Sequence, residues 1–166
     1  MSFYVRKIEK GKWLKKDLPE QEGPSADAIT NCIRTKNNKL SLWEINDDDD
    51  NDIENAVIAI AAAGDHLDTF DIVRFNEIAL SEKGLSTETN PGKTSYKCMV
   101  SNHRDIVNLD YKKLGKVSEI IMDEITNNRD KRFTFPKIKE LLLNAISEGK
   151  INQDELSPFI LEKLIT

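Results

Sequence analysis

The first half of the chain alternates short apolar runs with polar, turn-forming segments. Aromatic and β-branched residues are mixed with polar ones at 3–8, 40–45 and 70–75, and this pattern predicts three β-strands. Asn37 and Asn38 precede the second strand, and asparagine tolerates the positive φ angles of a tight turn. The pattern therefore predicts a small, mostly antiparallel sheet.

Helical periodicity dominates much of the remaining sequence. Capping residues and apolar residues spaced three and four apart predict helices over 25–33, 53–63, 109–128, 136–149 and 158–165. The last two helices are predicted to form a hairpin. The expected fold class is therefore α+β, with a sheet packed by helices and a C-terminal helical hairpin.

The length of the chain predicts one domain. It has 166 residues, and domains usually hold about 100–200 residues. We expect a single domain over 1–166, with a sheet-containing part at 1–100 and a helical part at 101–166. Hydrophobic residues make up 39% and charged residues 32%, which is a globular composition.

The sequence favours a cytoplasmic protein. No apolar run is long enough to cross a bilayer, and residues 1–7 lack the apolar stretch of a signal peptide. Two cysteines, Cys32 and Cys98, are interpreted as free, buried thiols. Neither a membrane association nor a cofactor is predicted.

Charge is distributed unevenly along the chain. The net charge of −5 combines +4 over 1–40, −11 over 41–90 and +2 over 91–166. A strongly acidic middle repels phosphate and suits steering toward a basic protein partner. Nucleic acid is therefore not the expected partner, and another protein is.

Two surfaces are candidates for binding that partner. One is the acidic region 47–54, which contains Asp47, Asp48, Asp49 and Asp50. These carboxylates are also well placed to cap and stabilise the helix that follows them, and this structural role is the favoured interpretation.

The other candidate surface is the last helix. Its apolar residues, Phe159 and Leu161 among them, exceed what one core-facing stripe needs. The apolar residues outside that stripe would be available for contact with a partner.

Two short motifs are incomplete. The alternate acids of 48–52 resemble the start of a calcium-binding loop, but Ile53 and Ala59 stand where glycine and glutamate are required. Residues 92–94 read Gly-Lys-Thr, the end of a phosphate-binding loop, but Thr87 stands where the loop needs its first glycine. Helix capping and a turn are therefore favoured, and no metal site is predicted.

The candidates for catalysis centre on three consecutive residues, His103, Arg104 and Asp105. Together they have the chemistry to hold a phosphate and move a proton, as a small metal-dependent hydrolase or nuclease does. His66 is the other histidine, and convergence with Asp68, His103 and Asp105 would offer a metal site. Neighbours in sequence do not share a face, so loop capping and ion pairing are the favoured interpretation.

A basic N-terminal strand supports a third hypothesis. Lys12, Lys15 and Lys16 lie close to aromatic residues, and such a surface can neutralise and stack on nucleic acid. The aromatic residues of a strand are normally core residues, which weakens this reading.

Taken together, the features predict a non-enzymatic interaction protein. Such a protein would be an accessory or regulatory subunit, for example of a bacterial defence or toxin-control assembly. A hydrolase using His103, Arg104 and Asp105 is the first alternative, and a nucleic-acid-binding module is the second.

Overall fold

The computed structural model describes residues 2–14 and 23–165. In these ranges the strands are β1 (Phe3–Ile8), β2 (Leu40–Ile45), β3 (Phe70–Asn76), β4 (Thr87–Thr89), β5 (His103–Ile106) and β6 (Asp130–Phe133). The α-helices are α1 (Lys10–Trp13), α2 (Ala26–Cys32), α3 (Asp50–Ala62), α4 (Glu77–Glu82), α5 (Tyr111–Thr126), α6 (Phe135–Ser147) and α7 (Pro158–Ile165). Short 3₁₀ helices cover Lys97–Asn102 and Gln153–Glu155.

The strands form one sheet in the order β4-β5-β2-β1-β3-β6, and every neighbouring pair is antiparallel. The predicted α+β class is confirmed. β5 and β6 lie within 101–166, the part of the chain predicted to be helical. The sheet therefore contains strands from both 1–100 and 101–166.

Helices cover both faces of the sheet. Successive strand residues point to opposite faces, so Val5 joins one core and Tyr4 the other. Side chains of α3, α6 and α7 fill the first core, and those of α2, α4 and α5 fill the second. The central strands are buried on both sides, so the openings of interest lie where strands end or separate.

Several sequence predictions are confirmed in detail. The strands predicted at 3–8, 40–45 and 70–75 all form. Asn37 and Asn38 adopt positive φ angles of 55° and 58° in a turn closed by hydrogen bonds between Lys36 and Lys39. The backbone N–H of Asp52 donates to the side chain of Asp49, which caps α3.

Three short strands escaped prediction. The four residues of β5 include three polar ones, and β4 and β6 are similarly polar, so none shows a clear apolar alternation. The segment just before β5, Lys97–Asn102, is a 3₁₀ helix. Pairing with neighbours in the sheet, rather than local composition, fixes β4, β5 and β6.

Both helices of the predicted C-terminal hairpin form and contribute to the same core. The Lys139 ammonium on α6 donates to the carbonyl of Lys163 on α7 over 3.1 Å. Their arrangement as a hairpin stays a prediction.

Both cysteines are free thiols; Cys32 is buried as expected, but Cys98 is exposed because it lies on the outer side of a 3₁₀ helix. In the described residues, no helix combines the length and the apolar character that a membrane crossing requires. The cytoplasmic location stays a prediction.

Candidate functional site

The two central strands of the sheet separate part of the way along their length. β1 pairs with β2 only as far as Val5 and Trp43. Beyond that pair, β1 continues alongside β3 through Ile8, while β2 continues alongside β5 back to Leu40. We call this separation, between residues 6–8 of β1 and 40–42 of β2, the fork.

The guanidinium of Arg6 bridges the fork. Its Nη1 donates to the carbonyl of Ser41 over 2.7 Å, and its Nε and Nη2 donate to the carbonyl of Cys32 over 3.1 and 2.8 Å. Burial lowers the pKa of Arg6 to about 10, although Cys32 and Asp105 oppose the shift. Arg6 therefore remains charged at neutral pH, and its hydrogen-bond acceptors are carbonyl groups rather than a carboxylate.

A chain of hydrogen bonds extends from Arg6 across the sheet. The hydroxyl of Ser41 donates to Oδ1 of Asp105 over 3.1 Å, and Nδ2 of Asn90 donates to Oδ2 over 2.6 Å. Nδ1 of His103 lies 2.6 Å from the carbonyl oxygen of Asn90. Because a carbonyl oxygen only accepts, Nδ1 of His103 carries the proton of this hydrogen bond. We call these five residues the fork network.

A close backbone contact holds the loop that supplies Asn90. Gly92 lies against the indole of Trp43 and against His103, and a Cβ at this position would lie 2.5 Å from Cη2 of Trp43. The amide of Gly92 also donates to the carbonyl of Val100 over 2.9 Å. Only glycine fits here without displacement, so Gly92 fixes the position of the 90–93 loop relative to β5.

The fork opens into a groove of about 1070 Å³. Besides the fork, it is lined by parts of segment 31–39, the 90–93 loop and the end of α3, and we call it the basic groove. Of the lining residues that the structure describes, seven are Lys or Arg and three carry carboxylates. This excess of positive charge stands in a protein whose net charge is −5.

The three carboxylates of the groove are all engaged. Glu9 pairs with Lys12, and Asp68 pairs with Lys163 over 3.6 Å. Asp105 is 4% exposed and accepts the hydrogen bonds of the fork network.

Five of the groove's basic side chains form no ion pair with any described residue. They are Arg6, Lys7, Arg34, Lys36 and Lys93. Most Lys and Arg residues elsewhere in the described chain are paired. Within the described residues, the groove therefore concentrates positive charge that no carboxylate pairs with.

The structure separates the residues that were considered for catalysis. His103 and Asp105 both line the groove, two positions apart on β5. Arg104 points to the opposite face and pairs with Glu44. The ring of His66 packs against Phe159 at 5.3 Å between centroids. Across the described ranges, no group of three or more His, Cys, Asp or Glu side chains is arranged to hold a metal ion, so the convergence considered for His66 and His103 is not found.

The acidic region 47–54, called the acidic run below, contributes mainly to the fold. Asp48 pairs with Arg74 over 2.7 Å, and Asp50 pairs with Lys131 over 2.6 Å. Asp49 caps α3, whereas Asp47 is simply exposed.

On α7, Phe159 is 58% exposed, and the half-buried Leu161 packs against the core. Among the lysines considered for nucleic-acid binding, Lys12 lines the basic groove. Lys15 and Lys16 lie outside the described residues.

Comparison of the chain with protein-family models, with curated proteins and with solved structures gives no match.

The sequence contained one overlooked signal for this site. Arg6 stands in the middle of an apolar strand, where a charged residue needs buried partners. Ser41 and Asn90 carried no comparable signal, because polar residues of their kind are common in strands and loops.

Proposed function

We propose that the protein is a non-enzymatic binding protein, of the accessory or regulatory kind, that takes an anionic ligand in the basic groove. The observation that carries the proposal is the set of five groove cations without a carboxylate partner among the described residues. Clefts lined by one sign of charge concentrate ligands of the opposite sign. An anion would supply the missing counter-charge.

The fork network supports binding rather than catalysis. Both oxygens of Asp105 accept hydrogen bonds and the side chain is buried, so it is poorly placed to exchange a proton with a ligand. The hydrogen-bond partner of His103 Nδ1 is a carbonyl oxygen. In catalytic triads that partner is a carboxylate, which stabilises the charged imidazole. Arg104, the third residue of the hydrolase hypothesis, faces away from the groove.

The acidic run has less support as a partner surface than the groove has. Of the four aspartates considered for partner binding, Asp48 and Asp50 already pair with intramolecular cations, and Asp49 is a helix cap. A role for this run or for Phe159 in binding a protein partner stays a prediction.

Anion binding is testable by calorimetry and thermal denaturation at low salt. The probes are pyrophosphate, tripolyphosphate, citrate and a peptide of eight glutamates. The groove variant is Lys36→Ala with Lys93→Ala, since both side chains are exposed and have no ion-pair partner among the described residues. The matched control is Lys112→Ala with Lys113→Ala, two lysines in the first turn of α5 that also lack ion-pair partners in the described chain.

At least one probe is expected to raise the melting temperature of the native protein, and its effect should weaken with salt because exposed charges are screened. The groove variant should bind it more weakly, and the control variant should bind it as the native protein does. Absence of binding by all four probes at low salt would overturn the proposal. So would an equal loss in both variants, which would indicate nonspecific attraction.

A further inference from the structure

The floor of the basic groove retains unused hydrogen-bond donors. A guanidinium has five N–H groups, and three of those on Arg6 go to the carbonyls of Ser41 and Cys32. One N–H on Nη1 and one on Nη2 therefore have no partner among the described residues. Arg6 is half-buried and lines the groove, which places its guanidinium beside the space that a ligand at the fork would occupy.

The basic side chains of the groove favour a ligand with several negative charges. Four more basic side chains share the groove with Arg6, and the Nζ of one of them, Lys7, lies 4.7 Å from the centre of the Phe70 ring. A single carboxylate or sulfate balances only one or two of these five charges. Linked phosphates carry several negative charges within a few ångströms, and arginine binds phosphate through paired N–H groups.

The other polyanions fit the groove less well. Single-stranded nucleic acid needs aromatic side chains on which bases stack. The two aromatic residues in the described lining, Trp43 and Phe70, are 7% and 5% exposed and present little surface for stacking. An extended acidic peptide advances about 3.3 Å per residue with side chains on alternate sides, so it spreads its charge along a line rather than around one point.

We infer that the basic groove binds a small molecule bearing two or three linked phosphates, with one phosphate anchored by Arg6 at the fork. This inference rests on the proposed function and specifies its ligand. The anchored phosphate accepts the two free N–H groups of Arg6, while Lys7 and Lys93 neutralise the neighbouring phosphates. A free oligophosphate and a nucleoside polyphosphate share this chemistry.

The test measures dissociation constants by calorimetry in the presence of a chelator, so that the metal-free ligand is observed. The probes are tripolyphosphate, ATP, GTP, the octaglutamate peptide and an eight-nucleotide single strand of DNA. Tripolyphosphate is expected to bind more tightly than the peptide and the DNA. Equal affinity for tripolyphosphate and the nucleotides would indicate that the groove recognises the phosphates alone. Tighter binding of ATP or GTP than of tripolyphosphate would indicate an additional contact to the nucleoside.

Two variants locate the anchor. Arg6→Lys keeps the charge but loses the planar donors, and it is expected to weaken tripolyphosphate binding about tenfold or more, since hydrogen bonds to charged groups are strong. Lys93→Ala, at an exposed loop position, should weaken binding without affecting the fold. Circular dichroism checks that Arg6→Lys is folded, and Lys112→Ala is the control.

The outcomes separate this inference from the proposed function. Binding of the peptide or the DNA without binding of tripolyphosphate would overturn the inference and leave the groove an anion site. Absence of binding by every probe would overturn both. Tripolyphosphate binding that is unchanged in Lys93→Ala and in folded Arg6→Lys would place the ligand elsewhere and so refute the inference.

Discussion

Replacing Gly92 by alanine tests the close contact that positions the site. The added Cβ would lie 2.5 Å from Cη2 and 3.0 Å from Cζ3 of Trp43, and 3.0 Å from Cβ of His103. Favourable contacts between carbon atoms begin near 3.5 Å, so the shortest of these distances is about 1 Å too small. Trp43 is buried and its ring packs edge-on against His103, so the loop has to move away from β5.

The expected cost follows from measurements on overpacked cores. Such substitutions destabilise proteins by about 1–3 kcal/mol. In a chain of this length each kcal/mol lowers the melting temperature by about 2–4 °C, so we expect a fall of roughly 2–12 °C. Movement of the loop also separates Asn90 from His103 and Asp105, so the affinity of the groove for its anionic ligand should fall as well.

Urea denaturation of a double-mutant cycle with Trp43→Phe is the assay. Phenylalanine lacks the outer atoms of the indole that the new Cβ would meet, so Gly92→Ala should cost less in that background. A favourable coupling free energy of about 0.5–3 kcal/mol is expected, the range for residues in contact. The matched control is Gly115→Ala in α5, where a Cβ meets nothing within 4 Å and stability should rise by about 0.5–1 kcal/mol.

Two results would refute this reasoning. One is a Gly92→Ala protein as stable as the native protein. The other is an unchanged cost in the Trp43→Phe background, which would mean that the indole is not the obstacle.

Two further predictions concern helices. Asp49→Ala should lower the free energy of unfolding by about 1 kcal/mol because it removes the cap on Asp52 N–H, whereas exposed Asp47→Ala should not; equal effects in urea denaturation would contradict the capping role. Burial raises the pKa of Glu124 against the opposing effect of Arg129, so the folded state keeps this proton to higher pH than the unfolded chain does. The free energy of unfolding of the native protein therefore falls as the pH rises from where the unfolded chain loses this proton to where the folded protein loses it. Glu124→Gln has no such proton to lose, so its stability relative to the native protein should increase from pH 4 to pH 7. A pH-independent difference between the two proteins would show that this shift is absent.

Local pattern was sufficient for most of the regular structure. The alternation at 3–8 and 40–45 identified β1 and β2, because residues buried on a sheet repeat with period two. The helical period identified α5 and α6 for the corresponding reason, since one face of each is buried. The turn at Asn37 and Asn38 followed from the conformational tolerance of asparagine.

The candidate site could not be obtained in the same way. His103 and Asp105 were identified as chemically interesting from their side chains, but their sequence neighbours gave no sign of Ser41 and Asn90 as partners. Those partners come from β2 and from the loop after β4, which are distant in sequence. The strand β5 that aligns them has almost no apolar signal of its own.

By itself, then, the sequence determined the α+β class, the main strands and helices, and the capping role of the acidic run. These depend on interactions between residues that are close along the chain. Only the tertiary structure decided that β1 and β2 part beyond Val5 and Trp43, that Arg6 bridges the gap, and that unpaired cations gather there. These features depend on strand register and on how loops from distant parts of the chain pack together. Local periodicity reflects only residues that are near one another in sequence, so it does not predict them.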